Sequence, residues 1–578
     1  MNPRTSRLED CVLLALGFVI AWSLFCGLGG HPANDDFLYA RSVQLWAEDG
    51  RWERVSMKGE LPASAVVHVV WGTLLSRFCG FSFSVLHASV LVLAWIGAVA
   101  VYLTGRAAGA TRGLALFLGA SLATSPYYFG HAFTFMTDTP ATAWMAVTAF
   151  CFFRGLSHQS IRWLWAGSAA TLMGIGTRQT SIGILLFPAI VIAWGAVSHR
   201  RLSRALVLLA ASCGLPLVGL AFFEFGAFGP SNAERVSPMM VAQFDRAWFR
   251  QAAISLYGSC LLVGFWTLPV APLVFSKLVR QLSDATGRWP RWAAMLGSAL
   301  GLLVLAGFIL SGGRAYLTSA TGYFMQNAHF GPVILSDAYD PGRWGDIGGV
   351  EWPSVVWKMI TVLSIIGFTL LAAAAVVSIA SSLMAQPPDT PASLAARCEL
   401  GLVLTAAASA IALVVLLQFI FDRYFMVVLA PVFVWLAILL SRPENRAPSG
   451  WAWVLSALLW AGNTGISLAF THDYLAWNQA RWSLVNAWLA DDVPPETIDG
   501  GYEVNGWFRS AEDPTTRPRV GDETLWWSGR AEWFVASGPR PGFEVVREAS
   551  WHSWVTGHDH EVLGLRRSVV PPIYDAKD

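Results

Sequence analysis

Apolar runs long enough to cross a bilayer recur along almost the whole chain, and they restrict its fold more than any other feature. A spanning helix needs about 20 mostly apolar residues. Thirteen segments meet that length, starting near Cys11, Phe83, Gly113, Phe133, Trp163, Thr180, Ala205, Ala252, Trp292, Val355, Glu399, Tyr424 and Trp451. The fifth and sixth are short and abut around Thr177 to Thr180. Only 13% of the 578 residues are charged, half of the roughly 25% that an ordinary soluble domain carries. So little charge cannot cover a soluble surface of this size. Disordered, collagen-like, coiled-coil and disulfide-rich chains are excluded on the same figures. The expected fold is a polytopic α-helical membrane protein with about 13 transmembrane helices.

Net charge is +1 and gives no reason to expect nucleic acid as a partner. The 29 Trp residues suit a chain with two membrane interfaces, where indole rings settle. All seven cysteines precede residue 399, and all but Cys79 lie in or beside apolar segments, so free thiols are expected. The first segment follows Arg4 and Arg7 but ends in Cys26 to Gly30 without a clean small-x-small cleavage site. It is read as an uncleaved helix.

Lys and Arg in the short loops orient the spans. Arg106 and Arg112, Arg154 and Arg162, and Arg200, Arg201 and Arg204 fall on one side, and so do Lys277, Arg280, Arg288, Arg291, Arg442 and Arg446. A cytoplasmic N-terminus and an extracytoplasmic C-terminus follow. Residues 1–470 then form the transmembrane domain, with outer loops at His31 to Ser82, Gly226 to Gln251 and Ser311 to Ser354. The last of these, residues 311–354, is rich in Gly and Tyr and reads as a lid. Residues 471–578 form a small extracytoplasmic α/β domain. It has a helical pattern from Tyr474 to Ala490 and strand-like runs at Ala531 to Ala536, Phe543 to Val546 and Val562 to Leu565. Within residues 31–82, Phe37 to Glu48 reads as a helix opened by Asn34 and Asp35. Ala63 to Phe78 is apolar but too short to span, and is placed along the membrane surface.

Acidic residues at a membrane surface need a reason. Asp35, Asp36 and Asp138 stand out, all on the predicted outer face. Asp138 lies in Thr137-Asp138-Thr139-Pro140, a sequence that also suits a helix N-terminus, so capping is an alternative to chemistry there. Arg178 and Arg423 sit on the same side, against the positive-inside trend. A guanidinium fork matches phosphate oxygens. The alternatives are a local ion pair, such as Asp422 with Arg423, or snorkelling to the interface. No Walker loop, dinucleotide glycine fingerprint, nucleophile elbow or HExxH motif occurs. His329, His558 and His560 are isolated and read as structural.

Taken in order, these residues resemble a family pattern. Asp35-Asp36-Phe37-Leu38-Tyr39-Ala40 resembles the Asp-Glu-x-x-Tyr-Ala run after the first span of the C-type glycosyltransferases, in the family 39 and aminoarabinose-transferase-like branch. Asp49-Gly50-Arg51-Trp52 and Glu60-Leu61-Pro62 are similar to that branch's Gly-Asp-Trp and Glu-Lys-Pro stretches. Thr137-Asp138-Thr139-Pro140 is similar to its Leu-Asp-Pro, and Thr177-Arg178-Gln179 to its Thr-Lys-Gly. Arg423-Tyr424 followed by Pro431 is similar to its late Arg-Tyr and Pro. The likeness spans roughly Cys11 to Leu440. The chain departs from the pattern at Asp36, at Leu61 (with Lys58 nearby but out of register) and at Arg178, so its phosphate grip is rebuilt or different.

The resemblance implies a C-type glycosyltransferase fold and an enzyme of EC class 2.4. It would move a sugar from a polyprenyl-phosphate carrier to a lipid, glycan or protein acceptor outside a bacterial inner or plasma membrane, inverting the anomeric centre. It further implies Asp35 as base, with Asp36 and Asp138 beside it, and Arg178, Arg423, Tyr424 and Lys58 around the donor phosphate. Adjacent side chains on a helix diverge, so only one of Asp35 and Asp36 is expected to face the acceptor. No metal ligand set and no cofactor is indicated, although members of this superfamily differ in metal dependence. Membrane lipids and the lipid-linked sugar are the expected partners. The competing reading is a multi-pass transporter of a sugar or lipid-linked substrate, for which charges at the bilayer midplane and paired halves would argue.

Overall fold

The computed structural model describes residues 3–33, 35–51, 65–199, 202–225, 246–284, 289–310, 354–384, 391–416, 422–442, 448–509, 531–536 and 538–568. Lys58, Glu60, Leu61, Pro62, His329 and nearly all of the loop 311–354 lie outside them.

The described residues form a helical bundle with a small sheet at one end. The first elements are α1 (Pro3–Phe25), α2 (Asp36–Glu48), α3 (Val66–Cys79), α4 (Phe83–Ala108), α5 (Arg112–Ala123), α6 (Pro126–His131), α7 (Asp138–Ser157) and α8 (Ile161–Thr177). Among the described residues nine helices are long and apolar enough to cross a membrane. A tenth is added if the pair Trp248–Trp266 and Leu268–Ser283, bent by 55°, counts as one span. The chain is thus an integral membrane protein by length and apolarity of its helices. Three of the thirteen expected spans fall outside this count. They are α5, only 12 residues long, α7, in which Asp138 and Arg154 dilute the apolar run, and α8, with 17 residues.

The innermost span runs from Asp422 to Ser441, and every residue of its helix Leu429–Ser441 is buried. Its sequence is apolar on all sides, as a helix enclosed by other helices requires. Helix α3 points its polar residues inward, burying His68, Thr73 and Ser76, and exposes Leu74 and Phe78. That inversion suits a short helix whose outer face meets lipid.

The expected boundary at residue 471 falls inside a single helix, Gly450–Ala490, which leaves the bundle and becomes the floor of the sheet. Four strands follow in the order β1-β2-β4-β3: β1 (Ile498–Asp499), β2 (Trp533–Ala536), β3 (Phe543–His552) and β4 (Asp559–Arg567). β1 and β2 are parallel and the other pairings are antiparallel. Trp488 of the long helix lies under the sheet, and a Cβ on Gly564 would come within 2.8 Å of its ring. All seven cysteines are free.

Candidate active site

Four breaks in the helical ladder meet at the end of the bundle that carries the sheet. Asp35 is the residue before α2, and Asp138 opens α7. Arg178 is a single extended residue between α8 and the 3₁₀ stretch Gln179–Leu185. Arg423 belongs to the 3₁₀ stretch Asp422–Val428 at the mouth of the innermost span. Such breaks turn side chains into the bundle at the membrane end without placing charge in its apolar middle.

Two carboxylate–guanidinium pairs result. Arg423 Nη2 donates to Asp35 Oδ2 at 2.6 Å. Arg178 Nη1 lies 3.0 Å from Asp138 Oδ1 and also donates to Thr137 Oγ1 at 3.1 Å. The Tyr424 ring links the pairs, with the Arg178 guanidinium carbon 4.7 Å and the Arg423 carbon 5.7 Å from its centroid, both within cation–π reach. The structure therefore brings together Asp35, Asp138, Arg178, Arg423 and Tyr424.

Neither acidic residue spends its side chain on capping. Asp35 occupies the N-cap position of α2 but makes no capping hydrogen bond. In α7 the cap position belongs to Thr137, and Asp138 is already helical. Asp138 is buried, and its Oδ2 has no hydrogen-bond partner among the described residues. A buried carboxylate oxygen in that condition is costly unless something supplies a donor. The local Asp422–Arg423 pair also takes a different form. The Asp422 carboxylate accepts the Tyr127 hydroxyl at 2.7 Å and the Arg423 backbone N–H at 2.8 Å, which fixes the strand of chain from which the guanidinium reaches Asp35.

Asp36 stands apart from these pairs. It is wholly buried and accepts from Ala33 N (2.7 Å), Phe135 N (3.3 Å) and His87 Nε2 (3.3 Å). Burial pushes its carboxyl up to about 6, against the pull of His87 and the two backbone N–H groups. It ties the start of α2 to α4 and to the turn before α7, and so fixes where Asp35 stands.

Three residues to which the sequence assigned no role belong here. The buried Tyr39 hydroxyl feels Asp35, Asp138, Arg178 and Arg423 together, and burial raises its pKa. His131 is held near 4 by burial, with Asp138, Arg423 and Arg178 as charged neighbours. His68 is also held near 4 by burial; it donates through Nε2 to the Phe135 carbonyl at 2.9 Å and stacks on the Phe135 ring. All three are therefore neutral near pH 7. Tyr39 had a signal, since it follows Asp35 by one helical turn and shares its face. The two histidines lie in apolar segments that say nothing about their surroundings. Among the described residues no three His, Cys, Asp or Glu side chains are grouped to hold a metal ion. His560 accepts no role here; it pairs with Thr556 at 2.9 Å in the turn that joins β3 and β4.

No protein-family model and no curated protein matches the sequence. Among solved structures, the chain is similar to ArnT from Cupriavidus metallidurans bound to undecaprenyl phosphate, at 13% identity and a TM-score of 0.39, over 97% of this chain and 98% of that one. ArnT in the apo state gives 14% identity and a TM-score of 0.38, over 96% and 98%. The archaeal oligosaccharyltransferase AglB from Archaeoglobus fulgidus, in complex with an inhibitory peptide and a dolichol-phosphate, gives 13% identity and a TM-score of 0.40, over 90% of this chain and 62% of that one. Scores this low leave the function to be argued from the site itself.

Proposed function

We propose that this protein is a membrane glycosyltransferase that moves a sugar from a polyprenyl-phosphate carrier to an acceptor hydroxyl outside the cytoplasm. The supporting observation is the pairing of two carboxylates with two guanidiniums around Tyr424 at one end of the bundle. A phosphate leaving group needs cations, and an attacking hydroxyl needs a base. This cluster holds both, while its position at a membrane end suits a donor whose polyprenyl tail stays in lipid.

In the proposed step the acceptor oxygen attacks C1 of the sugar, and its proton passes to the Asp35 carboxylate. The C1–O bond to phosphate breaks, and polyprenyl phosphate leaves with the electron pair, its charge met by Arg178 and Arg423. One displacement inverts the anomeric centre. Asp138 Oδ2 accepts from the acceptor hydroxyl or a sugar hydroxyl and orients it. Tyr424 keeps the two guanidiniums spaced. A transporter would need its charges along a path between the two faces, whereas these four gather at one end.

The direct test is to identify the lipid-linked sugar that accumulates in cells lacking the protein, then to supply it to purified protein. Formation of an inverted glycoside with release of polyprenyl phosphate is expected. Accumulation of the intact substrate on one side of the membrane, with no bond broken, would make the protein a transporter. Sidedness is tested by a reporter fused at the C-terminus, which should be active only outside the cytoplasm.

A further inference from the structure

We infer that the C-terminal domain is a clamp that sets the position of Asp35, with Asn478 and Trp507 as its positioning residues; this rests on the reading of Asp35 as the base. The domain grips the chain on both sides of that residue. Before it, Asn478 Nδ2 donates to the Pro32 carbonyl at 2.9 Å, and the His31 ring stacks on Trp482 at 5.2 Å with planes 5° apart. After it, Trp507 stands against Phe81 and Phe83, with Arg41 over its ring at 5.8 Å. Gly506 leaves room for Phe37: a Cβ there would lie 2.2 Å from the Phe37 ring. Phe37 and Leu38, immediately after the acidic pair, are buried against Trp507.

The grip is itself braced. Arg481 donates to Asn478 Oδ1 at 2.7 Å and pairs with Glu503 at 2.8 Å, and all three side chains are buried. Arg481 also lies over Trp477 at 4.4 Å. Chemistry fixes the Asn478 amide in one orientation. Arginine only donates and a peptide carbonyl only accepts, so the amide oxygen faces Arg481 and the NH₂ faces Pro32. Burial and the Arg481 charge hold His31 near 4, so its ring is neutral at pH 7 and stacks without adding charge. A buried ion pair is a poor source of stability but a good source of register. Here the register it fixes is that of the long helix Gly450–Ala490 and the helix Tyr502–Arg509 against the segment that carries the base.

Asn478→Asp tests the clamp with almost no change of shape. It keeps the acceptor for Arg481 but loses the donor to Pro32. Trp507→Leu tests the other jaw. Both are made in the full chain and read in two ways. Hydrogen exchange of the amides from Asp36 to Arg41 should rise in each variant, while protection of the sheet strands stays at the wild-type level. In the transfer assay kcat should fall by about 10- to 100-fold, the cost of a displaced reacting group, with the donor KM within about twofold, because the cations that hold the phosphate are untouched. Unchanged exchange at Asp36 to Arg41 in both variants overturns the clamp, and so does unchanged kcat in both. If exchange rises as expected but wild-type protein transfers no sugar, the clamp stands as structure and the assignment of Asp35 as base fails.

Discussion

Both ends of the helix bundle carry carboxylate–guanidinium pairs, but among the described residues Asp138 leaves one oxygen unsatisfied, whereas the buried carboxylates Glu399 and Asp10, at the end away from the sheet, have both satisfied. There, Glu399 receives Arg442 Nε on one oxygen at 2.5 Å and the Ser378 hydroxyl on the other at 2.9 Å. Asp10 receives Arg112 Nε and the Tyr102 hydroxyl, both at 2.6 Å. These groups fasten helices to one another: Asp10 joins α1 to α4 and α5, and Glu399 joins three late helices. At the sheet-bearing end Asp138 uses one oxygen and leaves the other buried without a partner, and Asp35 stays 24% exposed beside its guanidinium. A fastener is complete in the resting protein. A reaction site is completed by its substrate, at a cost in the resting state.

The largest effect separating the two ends should come from Asp35→Asn. Asn keeps the shape and an acceptor oxygen for Arg423 at a partly exposed position, so folding should survive, but it cannot accept a proton. Transfer should fall by a factor of about 10² to 10⁴, the usual contribution of a general base. Near-normal transfer by well-folded Asp35→Asn protein would remove the base and, with it, the contrast between the ends. Arg178 gives a smaller, graded effect. Arg178→Ala should lose about 10²-fold, comparable to deleting one charge-stabilising donor. Arg178→Lys keeps the charge without the fork and should lose less. A loss confined to donor KM assigns Arg178 to the ground-state phosphate, and a loss in kcat assigns it to the leaving group. Wild-type turnover in both variants would leave Arg178 as an interface anchor.

The sequence made the spans and the separate charged residues legible, because a bilayer forces 20-residue apolar runs and makes every charge near them conspicuous. It did not reveal their pairing. Asp35 and Arg423 are 388 residues apart, and Asn478 and Pro32 are 446 apart; no local pattern links them. Helix spacing alone did not decide between Asp35 and Asp36, although the family resemblance implied Asp35. Neighbours on a helix point about 100° apart, so one had to turn inward, but which one depends on where His87 and the Phe135 N–H stand. Of the two roles open to Asp138, its side chain does not cap, because Arg178, brought in by the break after α8, offers a stronger partner than a backbone N–H. The boundary drawn at residue 471 falls within one continuous helix, because helical periodicity does not register the point where a helix leaves lipid.

Asp36→Asn should have a modest effect on turnover and a clear effect on stability. Three donors converge on the carboxylate, and the amide can accept through one oxygen only. The loss should be about 1 to 3 kcal/mol, as for a broken hydrogen bond to a charged group. Its pH dependence has a definite sign. The Asp36 carboxyl is raised from 3.8 to about 6 in the folded chain, so its contribution is fully present below the lower value and is lost as pH rises through the upper one. His31, His68 and His131 are lowered from 6.5 to about 4, so their contribution is present above 6.5 and is lost as pH falls through that window. These histidines lower stability on acidification from pH 6.5 towards 4, and Asp36 works against them. In Asp36→Asn the opposing group is gone, and the fall should be steeper. A melting temperature measured across that range checks both slopes, and a shallower acid fall in the variant would show that Asp36 is not the group that opposes the histidines.

The smallest effect on chemistry should come from the far end. Glu399→Gln keeps shape and one acceptor for Arg442 but removes the charge that satisfies a buried guanidinium, and Glu399 itself is wholly buried. Melting temperature should drop, while kcat and donor KM stay within about twofold of wild type, since its partner Arg442 follows the opposite end of the span that Asp422 opens. Asp138→Asn likewise removes the charge opposite a guanidinium, that of Arg178, so melting temperature should drop there too, but transfer should also fall measurably, though less than in Asp35→Asn. Measured side by side, the two amide substitutions should both cost stability, and only Asp138→Asn should cost turnover. If Glu399→Gln lowers kcat as far as Asp138→Asn does, with donor KM unchanged, then saturation of a carboxylate does not distinguish a fastener from a reacting group. The two ends would then have to be joined by a path through the bundle, which is what a transporter requires.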